Sequence, residues 1–212
     1  LISTRPDIVG NTIAEDLSLL SDNLPPFSRK KAIEIIEDEF GTSIDSIFSQ
    51  FSEPIAAASI AQVHFAKIKS SNTEIDVAVK VLRPEIEKII NQEMERLEWL
   101  TTFMENFTEF QRLRPNSIIK KAKEVIKFEL DLRYEAAAAS ELSENTNMDE
   151  SFYVPKVYWD KVTQKILTME KIIGVPADKI DELNEKKVNK KQAAENLIIN
   201  FLRPVSYTHL RA

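Results

Sequence analysis

Three groups of side chains in this sequence have types and spacings that could do chemistry. Lys80 stands inside the apolar run Val77-Ala78-Val79-Lys80-Val81. Alternation along a strand puts it on the face opposite Val79 and Val81. An ammonium among such neighbours is costly to bury unless it meets an anion. Three carboxylates, Glu129, Asp131 and Glu135, follow within FELDLRYE. Ala56-Ala57-Ala58-Ser59 lies about twenty residues before Lys80. The chemistry these parts suggest is anion binding by the lysine, with a carboxylate to orient it. Glu129 and Asp131 could also hold a divalent cation, although two carboxylates without a third ligand are unspecific.

Each part also has a plainer reading. Lys80 taken alone fits an edge-strand lysine with its head in water. The carboxylates fit a solvated helix face neutralised by Arg133, and the alanines fit a helical turn before a strand. Protein kinases place a V-A-I-K lysine on a strand and pair it with a helix glutamate; Val-Ala-Val-Lys is a short match to that pattern. Kinases cover the phosphates with a glycine-rich loop, because glycine lets backbone N–H groups approach closely. The only glycines here are Gly10, Gly41 and Gly174, so a loop of that kind is excluded, and Ala56–Ser59 occupies its place.

The elements that must position these residues follow from periodicity and punctuation. Ile13, Leu17 and Leu20 predict a helix after Asp7, ended by Pro25-Pro26. Ser28 caps a helix over Lys30 to Phe40, and Gly41 stops it. Ile44, Ile47, Phe48 and Phe51 predict a short helical piece. Pro54 to Pro84 reads as loop, strand, turn (Ser70 to Glu74) and strand. Apolar residues from Ile86 to Met104 predict a long amphipathic helix. A further helix opens at Asn116 or Ser117 and runs through Ala136 to Ala139, since alanine is the best helix former. That helix sets Asp131 and Glu135 on one face, and its alanines would let a sheet pack close enough to bring Glu135 near a strand lysine. Phe152 to Trp159 and Lys165 to Lys171 predict two short strands. Gly174 and Pro176 mark a linker before helices at Ala177 to Leu183 and Lys190 to Leu202. Strands running into helices and back predict an α+β arrangement.

Composition narrows the function classes. A net charge of −6 argues against nucleic acid as the main partner, because phosphate-backbone binding needs a basic patch. There is no cysteine, which excludes disulfides, thiolate catalysis and cysteine zinc sites. Two histidines, His64 and His209, are too few for a histidine metal site. The uncharged stretch from Pro54 to Ala66 is too short to span a bilayer, so this chain is expected to be soluble by itself. The first residue is Leu1, so a natural N-terminus is expected to be missing.

PIAAASIAQVHFA, VAVKVLRP, ELDLRYEAA and STRPDIVG, in these positions, resemble the UbiB/ADCK (aarF domain-containing) family of atypical protein-kinase-like proteins, and the bacterial ubiquinone-biosynthesis type in particular. The resemblance covers Leu1 to about Phe201. It implies a kinase-like small lobe with an antiparallel sheet. Residues 1–51 would form a helical N-terminal extension, 52–174 the lobe with inserted helices and hinge, and 175–203 the start of the large lobe. It implies an alanine-rich loop at Ala56, Ala57, Ala58 and Ser59, a nucleotide-binding Lys80 with Glu135 as its helix partner, and Glu170 at the hinge, meeting adenine with nearby backbone. Glu129 and Asp131 match the family's E-x-D motif, which helps hold the N-terminal extension over the active site.

The implied cofactors are ATP and Mg2+, and the implied activity is ATP hydrolysis or phosphate transfer in support of ubiquinone biosynthesis. A non-catalytic scaffold that binds nucleotide or isoprenoid quinone intermediates and organises biosynthetic proteins is the other reading. A third is a helical interaction domain, in which Lys80 and Glu135 are far apart and exposed. The family's place at the cytoplasmic face of the bacterial inner membrane would come through parts outside this chain. The catalytic loop F-H-A-D-x-H-P-G-N and the D-F-G segment are absent, so no catalytic or metal residue is assigned and the chain alone is expected to be inactive. Pro204 to Ala212 resembles no part of the family and is similar to a translated sequencing adapter; it is set aside as non-native, His209 with it.

Overall fold

The computed structural model describes residues 25–70, 73–107, 112–149, 151–177 and 179–209, the side chains of 70 and 201–209 excepted. The helix predicted over Ile13 to Leu20 and the motif Ser3 to Asp7 lie outside the described residues.

The sheet is built from β1 (Gln50–Ala57), β2 (Ala61–Ser70), β3 (Thr73–Leu82) and β4 (Ile166–Glu170), all antiparallel, in the order β1-β2-β3-β4. Around it lie α1 (Arg29–Phe40), α2 (Ile44–Ile47), α3 (Ile86–Met104), α4 (Pro115–Glu129), α5 (Leu132–Thr146), α6 (Ile180–Glu185) and α7 (Lys190–His209), with a 3-10 turn at Trp159–Lys161. This is the α+β layout of a protein-kinase-like small lobe, with long helices inserted between β3 and β4.

The alternation of β3 splits the core in two. Val77, Val79 and Val81 point to one face, where they bury completely with Ile36, Phe48 and Ile166. Each such side chain contributes about 1.5–3 kcal/mol by leaving water. α1 covers this face because its start and stop are fixed: the Ser28 side chain accepts from the Lys31 N–H, and Gly41 takes φ 66° and returns its N–H to the Glu37 carbonyl. The opposite face gathers Ala61, Leu82 and Leu167 against Leu132 and Ala136 of α5. Lys80 belongs to this second face.

Several expectations are corrected. The loop expected from Pro54 is strand: β1 runs through Ala57, and only Ala58 to Ile60 connect it to β2. Pro54 is tolerated there because β1 is an edge strand and its pairing slips on both sides of Pro54. Phe51, expected in a helical piece, lies in β1, since α2 stops at Ile47.

The single helix expected through the alanine run is two helices. α4 ends at Glu129, Leu130 turns inward and is buried, and Asp131 caps α5 by accepting from the Arg133 N–H. Asp131 and Glu135 therefore do not share a helix face as two interior residues. Phe152 to Trp159 is not a strand; it touches β4 through one bridge, Val157 to Met169, and its end is the 3-10 turn. The helix expected from Ala177 begins at Ile180, and α7 continues through His209.

Candidate functional site: a lysine–glutamate pair under the sheet

Lys80 lies on an interior strand, between Val63 of β2 and Leu167 of β4. The edge-strand reading of this lysine is thereby overturned. Its Nζ donates to both carboxylate oxygens of Glu135, at 2.9 Å to Oε1 and 2.6 Å to Oε2. The reading that keeps these two side chains far apart is overturned by the same distances.

Glu135 reaches Lys80 because of its neighbours in α5. Leu132 and Ala136 are buried against Ala61, Leu82 and Leu167. Ala136 carries only a methyl group, so the helix backbone approaches the sheet closely. The Leu132 N–H donates to the Gln164 carbonyl at 2.9 Å, and Trp159 Nε1 donates to Ser140 Oγ at 3.1 Å. α5 is thus pinned at its first turn and again at its middle. The ion pair itself is partly exposed, 25% at Lys80 and 44% at Glu135. Pairs in that environment contribute about 0–1 kcal/mol to stability. Its geometry serves to aim the ammonium more than to hold the fold.

A cavity of about 440 Å3 opens beside the pair, lined by Lys80, Phe128, Glu129, Asp131, Tyr134 and Glu135. The break between α4 and α5 brings these residues together: Glu129 closes one helix, Asp131 caps the next, and Phe128 and Tyr134 meet edge to face at 5.0 Å across the break. Asp131 is committed locally. Arg133 donates to it from its backbone N–H (3.1 Å), Nε (2.9 Å) and NH2 (2.6 Å). That guanidinium, first through its hydrogen bonds, holds the Asp131 carboxyl below the usual aspartate range. A carboxylate so engaged is a poor member of a cation pair with Glu129. Among the described residues no group of three or more His, Cys, Asp or Glu is arranged to hold a metal ion.

The alanine-rich segment and Glu170 do not line this cavity. Ala56 and Ala57 end β1 opposite Val63 and Gln62, and Ala58 and Ser59 form the exposed turn into β2. Because Ala61 pairs with Leu82 and Val63 with Lys80, the turn and the lysine lie at the same end of the sheet, with the lysine's register partner two residues, about 7 Å, along β2 from Ala61. Glu170 ends β4, and its carboxylate accepts from Tyr153 Oη (2.5 Å) and the Lys156 N–H (3.2 Å). Its own N–H donates to the Lys156 carbonyl. Glu170's side chain and N–H are therefore already engaged. Ile172 and Ile173, which follow it, are exposed. The Glu170 hydrogen bond keeps the proton on Tyr153 to a higher pH than usual.

Two site features escaped the sequence reading. The sequence pattern marks Tyr153 only as part of an expected strand, although a tyrosine before a proline-bearing extended segment has a polar tip to place, here on Glu170. Arg83, in the VLRP that ends β3, donates from Nε to the Ala58 carbonyl at 3.0 Å and from NH1 to the Pro25 carbonyl at 3.0 Å.

Comparison with known proteins agrees with this geometry. Residues 19–210 match the ABC1 atypical kinase-like domain, a span that reaches into 204–212, the segment set aside as non-native. The chain is 40% identical over 207 residues to a "Probable protein kinase UbiB" of Pseudomonas putida F1, covering 97% of this chain and 38% of the relative. It is 39% identical, over the same shares, to the protein of that name from Pseudomonas entomophila L48, and 38% identical to that of Pseudomonas aeruginosa PAO1. The chain thus spans about 38% of the length of the curated relatives it matches. The sheet, the inserted helices and these matches agree: the chain belongs to the UbiB/ADCK family of atypical kinase-like proteins.

Proposed function

We propose that this chain is the nucleotide-binding small lobe of an atypical kinase or ATPase that acts in ubiquinone biosynthesis. The observation that carries the reading is the Lys80–Glu135 pair, made between an interior strand and the first turns of a packed helix. An ammonium held by one carboxylate, with 25% of its side chain still open to solvent, keeps donor capacity for a second anion. Polyphosphate is the anion that a strand lysine with this helix partner serves in kinases. Val63, Ala78 and Met169 lie on the Lys80 face of the sheet and are only partly buried, which suits the packing of a flat base. ATP is therefore the proposed ligand. Mg2+ would reach the phosphates through residues other than those described here. The Glu129–Asp131 motif borders the same cavity and is the proposed contact for the segment preceding α1.

In the protein expressed from the complete reading frame, Lys80→Ala is expected to lose ATP affinity at least tenfold by calorimetry, and unchanged affinity would overturn the reading. ATP binding without turnover by that protein would favour the scaffold role, with isoprenoid intermediates or biosynthetic proteins as partners. Residence at the cytoplasmic face of the bacterial inner membrane is part of the proposal. Among the described residues no helix is long and apolar enough to cross a membrane.

A further inference from the structure

The turn that takes the place of a glycine-rich loop contains no glycine, and yet its backbone is held in one pose. The Ala58 N–H donates to the Ala61 carbonyl at 2.8 Å. Two of the turn's carbonyls accept from the same residue: Arg83 Nε donates to Ala58 O at 3.0 Å, and the Arg83 backbone N–H donates to Ile60 O at 2.8 Å. A trans peptide is planar, with its C=O and N–H directed oppositely. Fixing the Ala58 carbonyl on Arg83 therefore turns the Ser59 N–H away from the Arg83 guanidinium. Ser59 is exposed, and among the described residues no group accepts from its N–H. An exposed backbone donor in a turn is the element from which anion-binding concavities are built.

The other end of the guanidinium is anchored as well. Arg83 NH1 donates to Pro25 O. The same lead-in segment is clamped by Gln62, whose Oε1 accepts from the Phe27 N–H (2.9 Å) and whose Nε2 donates to Phe27 O (3.2 Å). Gln62 is fully buried and also donates to His64 Nε2 at 2.8 Å. Arg83 thus hangs from a rigid support on one side and grips the turn on the other.

From this arrangement we infer that Arg83 is a positioning residue for the nucleotide phosphates: it aims the Ser59 N–H of the alanine-rich turn and substitutes fixed orientation for the flexibility of glycine. The inference rests on the nucleotide-binding reading above. It predicts a phosphate-specific effect that a general structural role would not produce. Protein from the complete reading frame, as wild type, Lys80→Ala, Arg83→Met and Arg83→Lys, would be titrated with ATP and with adenosine. Both Arg83 variants are expected to weaken ATP about tenfold, the scale of one hydrogen bond to a charged group, while adenosine binds as to wild type. Lysine cannot grip two carbonyls in a fixed fork, so Arg83→Lys should not rescue.

Rescue of ATP affinity by Arg83→Lys would assign Arg83 to direct charge contact and overturn the positioning role. Equal weakening of ATP and adenosine, or no change in either, would also overturn it. If Lys80→Ala loses ATP and the Arg83 variants do not, only this inference falls. If wild type and Lys80→Ala bind ATP alike, the underlying reading falls first.

Discussion

Lys80 and Glu135 are separated by 55 positions in sequence and meet at 2.6 Å. The sequence made Lys80 conspicuous, because a lysine among valines on a strand needs an anion. It gave weaker grounds for choosing among Glu129, Asp131 and Glu135. The choice is decided by packing: Leu132 and Ala136 bury on either side of Glu135, while Asp131 spends its carboxylate on the helix cap and on Arg133. His64 shows the same limit. Its type and strand position are plain in the sequence, but its confinement is not. It is fully buried, stacked at 4.4 Å on the Phe51 ring, and bonded through Nδ1 to Ser52 O and through Nε2 to the Gln62 amide. The Gln62 amide presents a donor to Nε2, so Nδ1 carries the proton and the ring is neutral.

Burial, opposed by the Ser52 carbonyl and the Glu53 charge and reinforced by Arg29, lowers the pKa of His64. A folded-state value below the unfolded one means that the unfolded chain takes up the proton first as pH falls. Stability from this residue is therefore complete above the unfolded value of about 6.5 and declines as pH drops below it. Thermal melts are expected to show a lower Tm at pH 5.5 than at 7.5, with the difference reduced in His64→Asn. An equal pH dependence in wild type and variant would contradict this assignment.

At the scale of elements, helix ends with a local chemical signal were legible and those set by distant contacts were not. α1 begins at a serine cap and ends at a left-handed glycine, both readable directly. The division between α4 and α5 was missed because helix propensity favours continuation through FELDLRYEAAAA. The break depends on Leu130 turning into the core and on the Leu132 N–H finding the Gln164 carbonyl, a partner 32 positions away. β1 was missed because SEPIAAA lacks apolar alternation and contains a proline; its strand character comes from pairing with β2. The α5–sheet contact carries a sharp prediction. Ala136 has no exposed surface, so Ala136→Leu should cost about 1–3 kcal/mol by overpacking. It should also push α5 off the sheet and weaken ATP binding along with stability. Chemical denaturation would read the first effect and nucleotide titration the second; a neutral substitution would contradict the close packing that seats Glu135.

For the whole molecule, the family and lobe architecture were legible because several motifs agree in order and spacing. The motifs that carry the resemblance cover Leu1 to about Phe201; the family match spans residues 19–210 and α7 runs through His209. The chain spans about 38% of the length of its curated relatives, and its described residues join Lys80 to Glu135 and the Arg83 guanidinium to the Ala58 carbonyl. The purified 212-residue chain is accordingly expected to show no ATP turnover above a Lys80→Ala control in a phosphate-release assay; turnover abolished by that substitution would contradict the expectation.

The central claim is that the strand lysine and helix glutamate form one nucleotide-phosphate site. ATP affinity measured for Lys80→Ala, Glu135→Gln and the double variant, all in protein from the complete reading frame, tests it most directly. The account predicts that each single substitution weakens ATP at least tenfold and that the double variant is little worse than Lys80→Ala alone, as expected for residues that act as a unit. ATP affinity unchanged by either substitution, or losses that simply add, would contradict it.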